Sequence, residues 1–148
     1  MALKKKGGWW HGDTPADLAS YLLKHVLGRH CRGVPHRVAH AQCTKCSAAK
    51  FDLFTDDAER VLRVCTACEA EHEVCDPDKK CDAKSASEIV CECMYSECEV
   101  AVGFALMDDD SVGHLYVAAR CTECGRCAVA SEWSPKGEFL FAEMANSV

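Results

Sequence analysis

Two pairs of cysteines constrain the fold of this chain more than any other feature of its sequence. Cys43 and Cys46 form the first pair, and Cys65 and Cys68 form the second, with 18 residues between the pairs. A Zn²⁺ ion binds four soft ligands at the corners of a tetrahedron, with each sulfur about 2.3 Å from the metal. Each C-x2-C turn supplies two such ligands. The pattern therefore predicts one structural zinc held by all four cysteines.

The residues between the two pairs have the composition of a β-hairpin. Residues 48–55 and 61–64 are rich in apolar and β-branched side chains, which are typical of strands. Asp56 and Asp57 favour a turn between them, and residues 69–74 can add a third strand. Two cysteine turns around such a hairpin resemble the zinc-ribbon fold group. The resemblance implies a fold more than it implies a function.

The number of cysteines indicates a reducing environment. The chain of 148 residues contains 13 cysteines, an odd number arranged mostly in close pairs. Such a pattern suits metal binding in a reducing compartment better than the disulfide framework of a secreted protein. The basic start of the chain lacks the apolar stretch of a signal peptide. No run of 18 apolar residues exists that could span a membrane. We expect a cytoplasmic protein without membrane association.

Charge is distributed unevenly along the chain. The formal net charge is −6, with about +7 in residues 1–50 and about −13 in the remainder. Two zinc sites of four thiolates would each add about −2. An acidic body argues against general nucleic-acid binding by the cysteine-containing units. The basic N-terminal half remains a possible contact for nucleic acid or the transcription machinery.

One helix is predicted in the N-terminal half, over residues 14–27. Thr14 can cap it, Pro15 suits the first helical position, and Asp17 completes a capping-box pattern. Gly28 is a typical stop signal. Five side chains form one stripe along this helix: Leu18, Tyr21, Leu22, His25 and Val26. The segment before the helix is expected to be loose, except that Trp9 or Trp10 should pack against the helix or a cysteine-containing unit.

The second half of the chain repeats the first. Residues 114–124 parallel residues 59–68, because in both a β-rich segment runs into C-T-x-C. Residues 104–110 parallel residues 51–57 in the same way. An internal repeat of about 50 residues indicates two copies of one structural unit. The repeat predicts a second zinc bound by Cys121, Cys124 and two cysteines near residue 93.

Two choices exist for the other ligands of the second site. Cys91 with Cys93 gives C-x-C, whereas Cys93 with Cys98 gives C-x4-C, and both spacings can serve a metal. Cys98 is in phase with four apolar side chains on one strand face, which favours a core position for it: Val100, Val102, Phe104 and Leu106. In contrast, the alignment of residues 104–110 with the first unit favours Cys98 as a metal ligand. We prefer Cys91 and Cys93.

Part of that preference rests on a resemblance over most of the chain. The chain resembles a group of uncharacterised bacterial tandem zinc-ribbon proteins in four places. These are the motif Trp9-Trp10-His11-Gly12, residues 99–106, residues 115–117, and the C-x-x-C-G that ends near Glu132-Trp133. The resemblance implies two tandem zinc ribbons and no particular activity. First cysteine turns in that group read C-x-C-G, and this sequence lacks the glycine at both corresponding places.

These observations predict a small, metal-bound, mainly β protein: two tandem zinc ribbons preceded by one N-terminal α-helix. Cys31, Cys75, Cys81 and Cys127 are outside the predicted sites, although Cys31 with nearby histidines could form a third. Residues 134–148 should cover the sheet with Phe139, Leu140 and Phe141. The chain divides into five parts: a basic N-terminal segment at 1–36, zinc ribbon 1 at 37–75, a linker at 76–87, zinc ribbon 2 at 88–133 and a C-terminal tail at 134–148.

The sequence favours a binding protein over an enzyme. A catalytic zinc keeps an open position for water, whereas both predicted sites can be closed by four cysteines. The sequence contains no phosphate loop, no G-x-S-x-G and no H-E-x-x-H. We expect two Zn²⁺ per chain and a non-enzymatic role in protein interaction or regulation. The alternatives are nucleic-acid binding and thiol redox or zinc-buffering chemistry, the redox reading resting on Cys124-Gly-Arg-Cys127.

Overall fold

A computed structural model describes residues 3–29, 36–75, 81, 84–135 and 137–148. These residues form a mainly β structure in which all strand pairs are antiparallel. The described strands are β1 (Lys4–Lys6), β2 (Trp9–His11), β3 (Arg37–His40), β4 (Phe51–Thr55), β5 (Val61–Cys65), β6 (Glu71–Glu73), β7 (Ser87–Glu88), β8 (Cys98–Leu106), β9 (Val112–Cys121) and β10 (Arg126–Trp133). The described α-helices are α1 (Pro15–Tyr21) and α2 (Phe141–Ala145).

Both halves of the chain contribute to one sheet. The strand order is β1-β2-β10-β9-β8-β4-β5-β6, while β3 pairs with β8 and β7 pairs with β4. A single register pair, Phe51 with Cys98, joins the first hairpin to the second. Strand β3 lies before the first cysteine pair in sequence, yet it pairs with β8 of the second half. The two predicted units are therefore interleaved through shared strands.

The first hairpin follows the sequence pattern closely. Strands β4 and β5 pair from Phe51↔Cys65 to Thr55↔Val61, and β6 adds the third strand. At the turn, the Asp56 carboxylate accepts hydrogen bonds from the backbone N–H groups of Ala58 and Arg60. The strand begins at Phe51 rather than at residue 48, because the preceding residues complete the cysteine turn.

Strand β8 is the most deeply buried element, since both of its faces are covered. One face places Val100, Val102 and Phe104 in a core that also contains residues of the first hairpin. On the opposite face, Ala101 and Ala105 pack under the helical segment. A Cβ atom at Gly103 would lie 3.1 Å from Leu27 Cδ1. Small side chains on this face thus allow the helical segment to approach the sheet closely.

The predicted helix begins as expected and ends differently. Thr14 caps it, and its side chain and that of Asp17 form a complete capping box. The α-helical part ends at Tyr21, and the chain continues as a π-helical turn over Leu22–Val26 and a 3-10 turn over Leu27–Arg29. The prediction of an α-helix over residues 14–27 was therefore too long. The buried stripe still forms, because Leu18, Leu22 and Val26 are all buried.

The N-terminal segment is ordered, which corrects the expectation of a loose arm. Strands β1 and β2 pair with each other, and β2 pairs with β10 through Arg126↔His11 and Cys127↔Trp10. The Trp10 ring stacks on His25 of the helical segment at a centroid distance of 4.0 Å. The prediction that one tryptophan packs against the helix is confirmed.

The C-terminal segment covers the sheet with a different set of side chains from the one expected. Phe139 and Leu140 are exposed, whereas Met144 and Val148 are buried in the main core. Phe141 packs edge-on against Phe104, with ring centroids 5.2 Å apart. Helix α2 accounts for this pattern, because it turns Met144 toward the sheet.

Candidate metal centres

Four cysteine turns close with the same kind of backbone hydrogen bond, which spans four residues in the turn that begins at Cys91 and five residues in the other three. In each, the residue after the second cysteine has a positive φ angle and donates its N–H to the carbonyl of the first cysteine over 2.8–2.9 Å: Ser47 to Cys43, Glu69 to Cys65, Met94 to Cys91 and Gly125 to Cys121. This turn folds the chain back so that both thiols point to the same side. The glycine that the resembling group carries at this place is dispensable, since Ser47 and Met94 adopt the conformation in its absence.

The first cluster brings together Cys43, Cys46, Cys65 and Cys68. Their sulfur atoms all lie within 4.8 Å of one another. The sulfurs of Cys43 and Cys68 are 3.6 Å apart, and those of Cys46 and Cys65 are 3.5 Å apart. A tetrahedron with metal–sulfur bonds of about 2.3 Å has edges of about 3.8 Å. The four thiols therefore have the separations that a single tetrahedral ion requires.

The second cluster consists of Cys91, Cys93, Cys121 and Cys124, again within 4.8 Å of one another. The Cys91 and Cys124 sulfurs are 3.6 Å apart, as are those of Cys93 and Cys121. Thus the structure brings Cys91, and not Cys98, to the cluster.

Cys98 occupies a core position instead. It pairs with Cys121 on one side and Phe51 on the other, and its thiol donates a hydrogen bond to the Phe51 carbonyl over 3.4 Å. Burial raises the pKa of the Cys98 thiol well above its ordinary value. A neutral thiol in that position suits packing, because a metal ligand must be a thiolate.

Backbone N–H groups lower the pKa of Cys43 and Cys65 in the first cluster and help to lower that of Cys91 in the second. The N–H of Cys46 lowers the pKa of Cys43 to about 6. In the second cluster, burial opposes ionisation of Cys91, but the Cys93 N–H and the neighbouring thiols outweigh it and lower its pKa to about 7. Burial and the contact with Cys91 raise the pKa of Cys124 to about 12. Without metal, each cluster thus favours a mixture of thiolate and thiol, and a bound cation would displace the remaining protons.

A buried arginine adjoins the first cluster, and sequence reasoning missed it. Arg63 is 2% exposed and lies between Val61 and Cys65 on β5. Its guanidinium donates to the carbonyl of Val148 over 2.9 Å and stacks over the Phe51 ring at 4.6 Å. Burial lowers the pKa of Arg63. A buried cation here offsets part of the negative charge of four thiolates around a divalent ion. In sequence, only its alternation with Val61 and Cys65 places it on the inward face.

The second cluster is tied to the N-terminal segment through Gly12. The Gly12 N–H donates to the Gly125 carbonyl over 2.9 Å, and Arg120 donates to the Gly12 carbonyl over 3.1 Å. Arg120 also forms an almost fully buried ion pair with Glu99. These contacts fix the final cysteine turn against the strand pair β1–β2.

The remaining described cysteines join neither cluster. Cys127 is fully buried under the helical segment, and burial raises its pKa to about 12. The raised pKa of Cys127 argues against a redox-active dithiol formed by Cys124 and Cys127, because thiol exchange needs a thiolate. Cys75 is buried in the main core, and Cys81 is half-buried. The third metal site considered for Cys31 lies outside the described residues.

No helix in the described part of the chain is long and apolar enough to cross a membrane.

No model of a known protein family matches the chain, and neither a curated protein nor a solved structure matches it. The resemblance to tandem zinc-ribbon proteins therefore stays a prediction, and the cysteine clusters carry the argument for function.

Proposed function

We propose that each cysteine cluster holds one structural Zn²⁺ and that the chain is a non-enzymatic binding module of a reducing compartment such as the cytoplasm. One observation carries the proposal: two sets of four sulfurs, each within 4.8 Å of one another. Four thiolates complete a tetrahedron, so no position is left for a catalytic water. Zinc is favoured over softer or redox-active metals because closed four-cysteine sites are typical of structural zinc.

A role in protein binding is supported by apolar side chains exposed beside the second cluster. Val90, Met94 and Tyr95 flank its first cysteine turn, and Met94 is 83% exposed. Exposed apolar groups of this kind are common in surfaces that contact other proteins. The proposal is that the second cluster fixes this loop in a conformation a partner protein recognises.

The metal stoichiometry tests the proposal. Elemental analysis of protein purified under reducing conditions should give two zinc ions per chain. Cys91→Ser should lower the count to one, because it removes a ligand from the second site. Cys98→Ser is the matched control and should keep two, since Cys98 only packs in the core. A count of one or none in the unaltered protein, or zinc loss from Cys98→Ser alone, would contradict the assignment.

Binding of single-stranded nucleic acid is a second candidate function, favoured by one arrangement. Lys4, Lys5 and Lys6 are exposed on β1, where Lys5 and Lys6 lie opposite the two tryptophans of β2. Lysines beside aromatic rings are a common combination in single-strand binding. An oligothymidylate titration separates the two functions: saturable binding that weakens steeply with salt would support nucleic acid, and no binding at low salt would exclude this candidate.

A further inference from the structure

A cavity of about 460 Å³ lies beside the second cysteine cluster, and its wall includes Val90 and Tyr95 of the apolar surface described above. Its size falls within the range of about 300–1,000 Å³ that is usual for small-molecule sites. Trp9, Tyr21 and Tyr95 contribute aromatic walls, while Ala119 and Ala128 leave room between them. Such walls suit a ligand with a planar apolar body, because aromatic rings stack well on one another.

Arg126 supplies the positive charge in this cavity. Its guanidinium lies over the Trp9 ring, 3.7 Å from the centroid, and its Nε has no hydrogen-bond acceptor among the described residues. The carboxylate paired with it, Glu92, is 3.6 Å away on a side chain that is 74% exposed. Arg126 is thus held in place by stacking, and its Nε–H donor is unused among the described residues.

Among the described residues, the one Asp or Glu side chain in the cavity wall, that of Glu97, is already engaged. The Glu97 carboxylate accepts a hydrogen bond from the Thr122 hydroxyl over 3.1 Å, and the Glu97 carbonyl accepts one from the Thr122 backbone N–H over 3.2 Å. The unmet requirement in the cavity is therefore for an acceptor that faces the guanidinium. A carboxylate meets it best, because it can accept two parallel hydrogen bonds from an arginine.

Two irregularities of the backbone open the same cavity. Tyr21 stands where the α-helix gives way to the π-helical turn. On β10, the register with β9 shifts between Val129 and Ser131, so that Ala130 is the extra residue. Both kinds of irregularity occur often at functional sites, where they redirect side chains. Their convergence on one cavity sets it apart from an incidental packing gap.

We propose that this cavity binds a small organic carboxylate with a planar apolar body. The carboxylate pairs with the Arg126 guanidinium, and the apolar body lies among Trp9, Tyr21 and Tyr95. Cys91 and Cys121 form part of the wall, so the ligand would lie against the second cluster. The site shares Tyr95 with the proposed protein-binding surface, but binding of the carboxylate requires no partner protein.

Three compounds with the same ring and different charge test the proposal. Phenylacetate, phenylacetamide and phenethylamine are titrated into the zinc-loaded full chain and followed by the indole N–H signal of Trp9 in ¹H–¹⁵N spectra. We expect saturable binding of phenylacetate at least about tenfold tighter than that of the other two, the usual size of a charge-assisted contact. Equal affinities, tighter binding of the amine, or no saturable binding at all would overturn the proposal.

Variants locate the site and supply the control. Arg126→Gln should abolish the preference for phenylacetate, and Ala128→Leu should weaken all three compounds by filling the cavity. Arg37→Gln removes an arginine that lies over the Phe141 ring elsewhere, and it should change nothing. An equal loss in Arg37→Gln would overturn the proposal. Zinc content, measured on each sample, keeps the two hypotheses apart: a low zinc count with phenylacetate still bound contradicts only the metal sites.

Discussion

Gly125, the last residue of the fourth cysteine turn, is restricted both by its backbone conformation and by a close neighbour. Its φ angle is +81°, and a Cβ atom there would lie 2.4 Å from the Gly12 carbonyl oxygen. The corresponding positions of two other cysteine turns accept Ser47 and Met94, whose φ angles are also positive. Glycine is therefore needed at position 125 for two reasons, and only one of them is the backbone conformation.

Replacing Gly125 by alanine should destabilise the protein and release zinc from the second site. Gly8→Ala is a matched control, because Gly8 has a similar φ of +84° with no atom near its Cβ position. The control substitution should lower the free energy of unfolding by about 1–2 kcal/mol, because alanine is strained in the left-handed conformation. Gly125→Ala should cost clearly more, since the backbone of residue 12 must also move. Urea unfolding and zinc content check this, and equal effects of the two substitutions would contradict the close contact.

At the scale of elements, the N-terminal helix depends on its first turn and on the sheet beneath it. The Asp17 carboxylate accepts hydrogen bonds from the N–H groups of Asp13 and Thr14 over 2.8 and 3.2 Å. The Asp13 N–H is the main reason that the pKa of Asp17 lies below its ordinary value. A lowered pKa in the folded state means that this stabilisation is present above the ordinary pKa and disappears as the pH falls through the lower one.

Asp17→Asn should therefore lower the free energy of unfolding by about 1 kcal/mol near neutral pH, the usual size of a helix-capping contribution. The difference in free energy of unfolding between the variant and the unaltered protein should become smaller in acid, where the Asp17 carboxyl is itself protonated. Asp13→Asn is the control, since the Asp13 side chain is exposed. Urea titrations at several pH values measure both variants. A deficit that stays constant down to the lowest pH would show that the charge of Asp17 has no role.

The sequence identified those features that depend on local spacing. Cysteine spacing, the capping box at Thr14 and the inward phase of Cys98 all follow from residues close together in the chain. Strand partners do not, because alternation assigns a face to a residue and leaves its neighbouring strand open. Hence the pairing of β3 with β8 and the Phe51–Cys98 junction were missed. Nothing in the sequence indicated a positive φ angle at Met94, since methionine rarely adopts that conformation.

At the scale of the whole molecule, the two cysteine clusters belong to halves that share one core. The main core contains Leu53 and Val61 from the first hairpin together with Val102 and Phe104 from β8. The helical segment packs mainly on the second half of the sheet, where it covers Ala101 and Ala118, and it also contacts β3 near Val38. A short π-containing helix of this kind has little stability by itself in water. Its persistence should therefore depend on the second metal centre.

The central claim is that zinc holds this fold together, and stepwise chelation of the zinc-loaded protein tests it most directly. Native mass spectrometry counts the bound metal while circular dichroism follows sheet and helix in the same samples. Thiolate ligands release their metal more readily as the pH falls, so less chelator should suffice in mild acid. The account predicts that sheet and helix signals are lost together as the zinc ions leave. Full retention of both signals after both ions have left would contradict it.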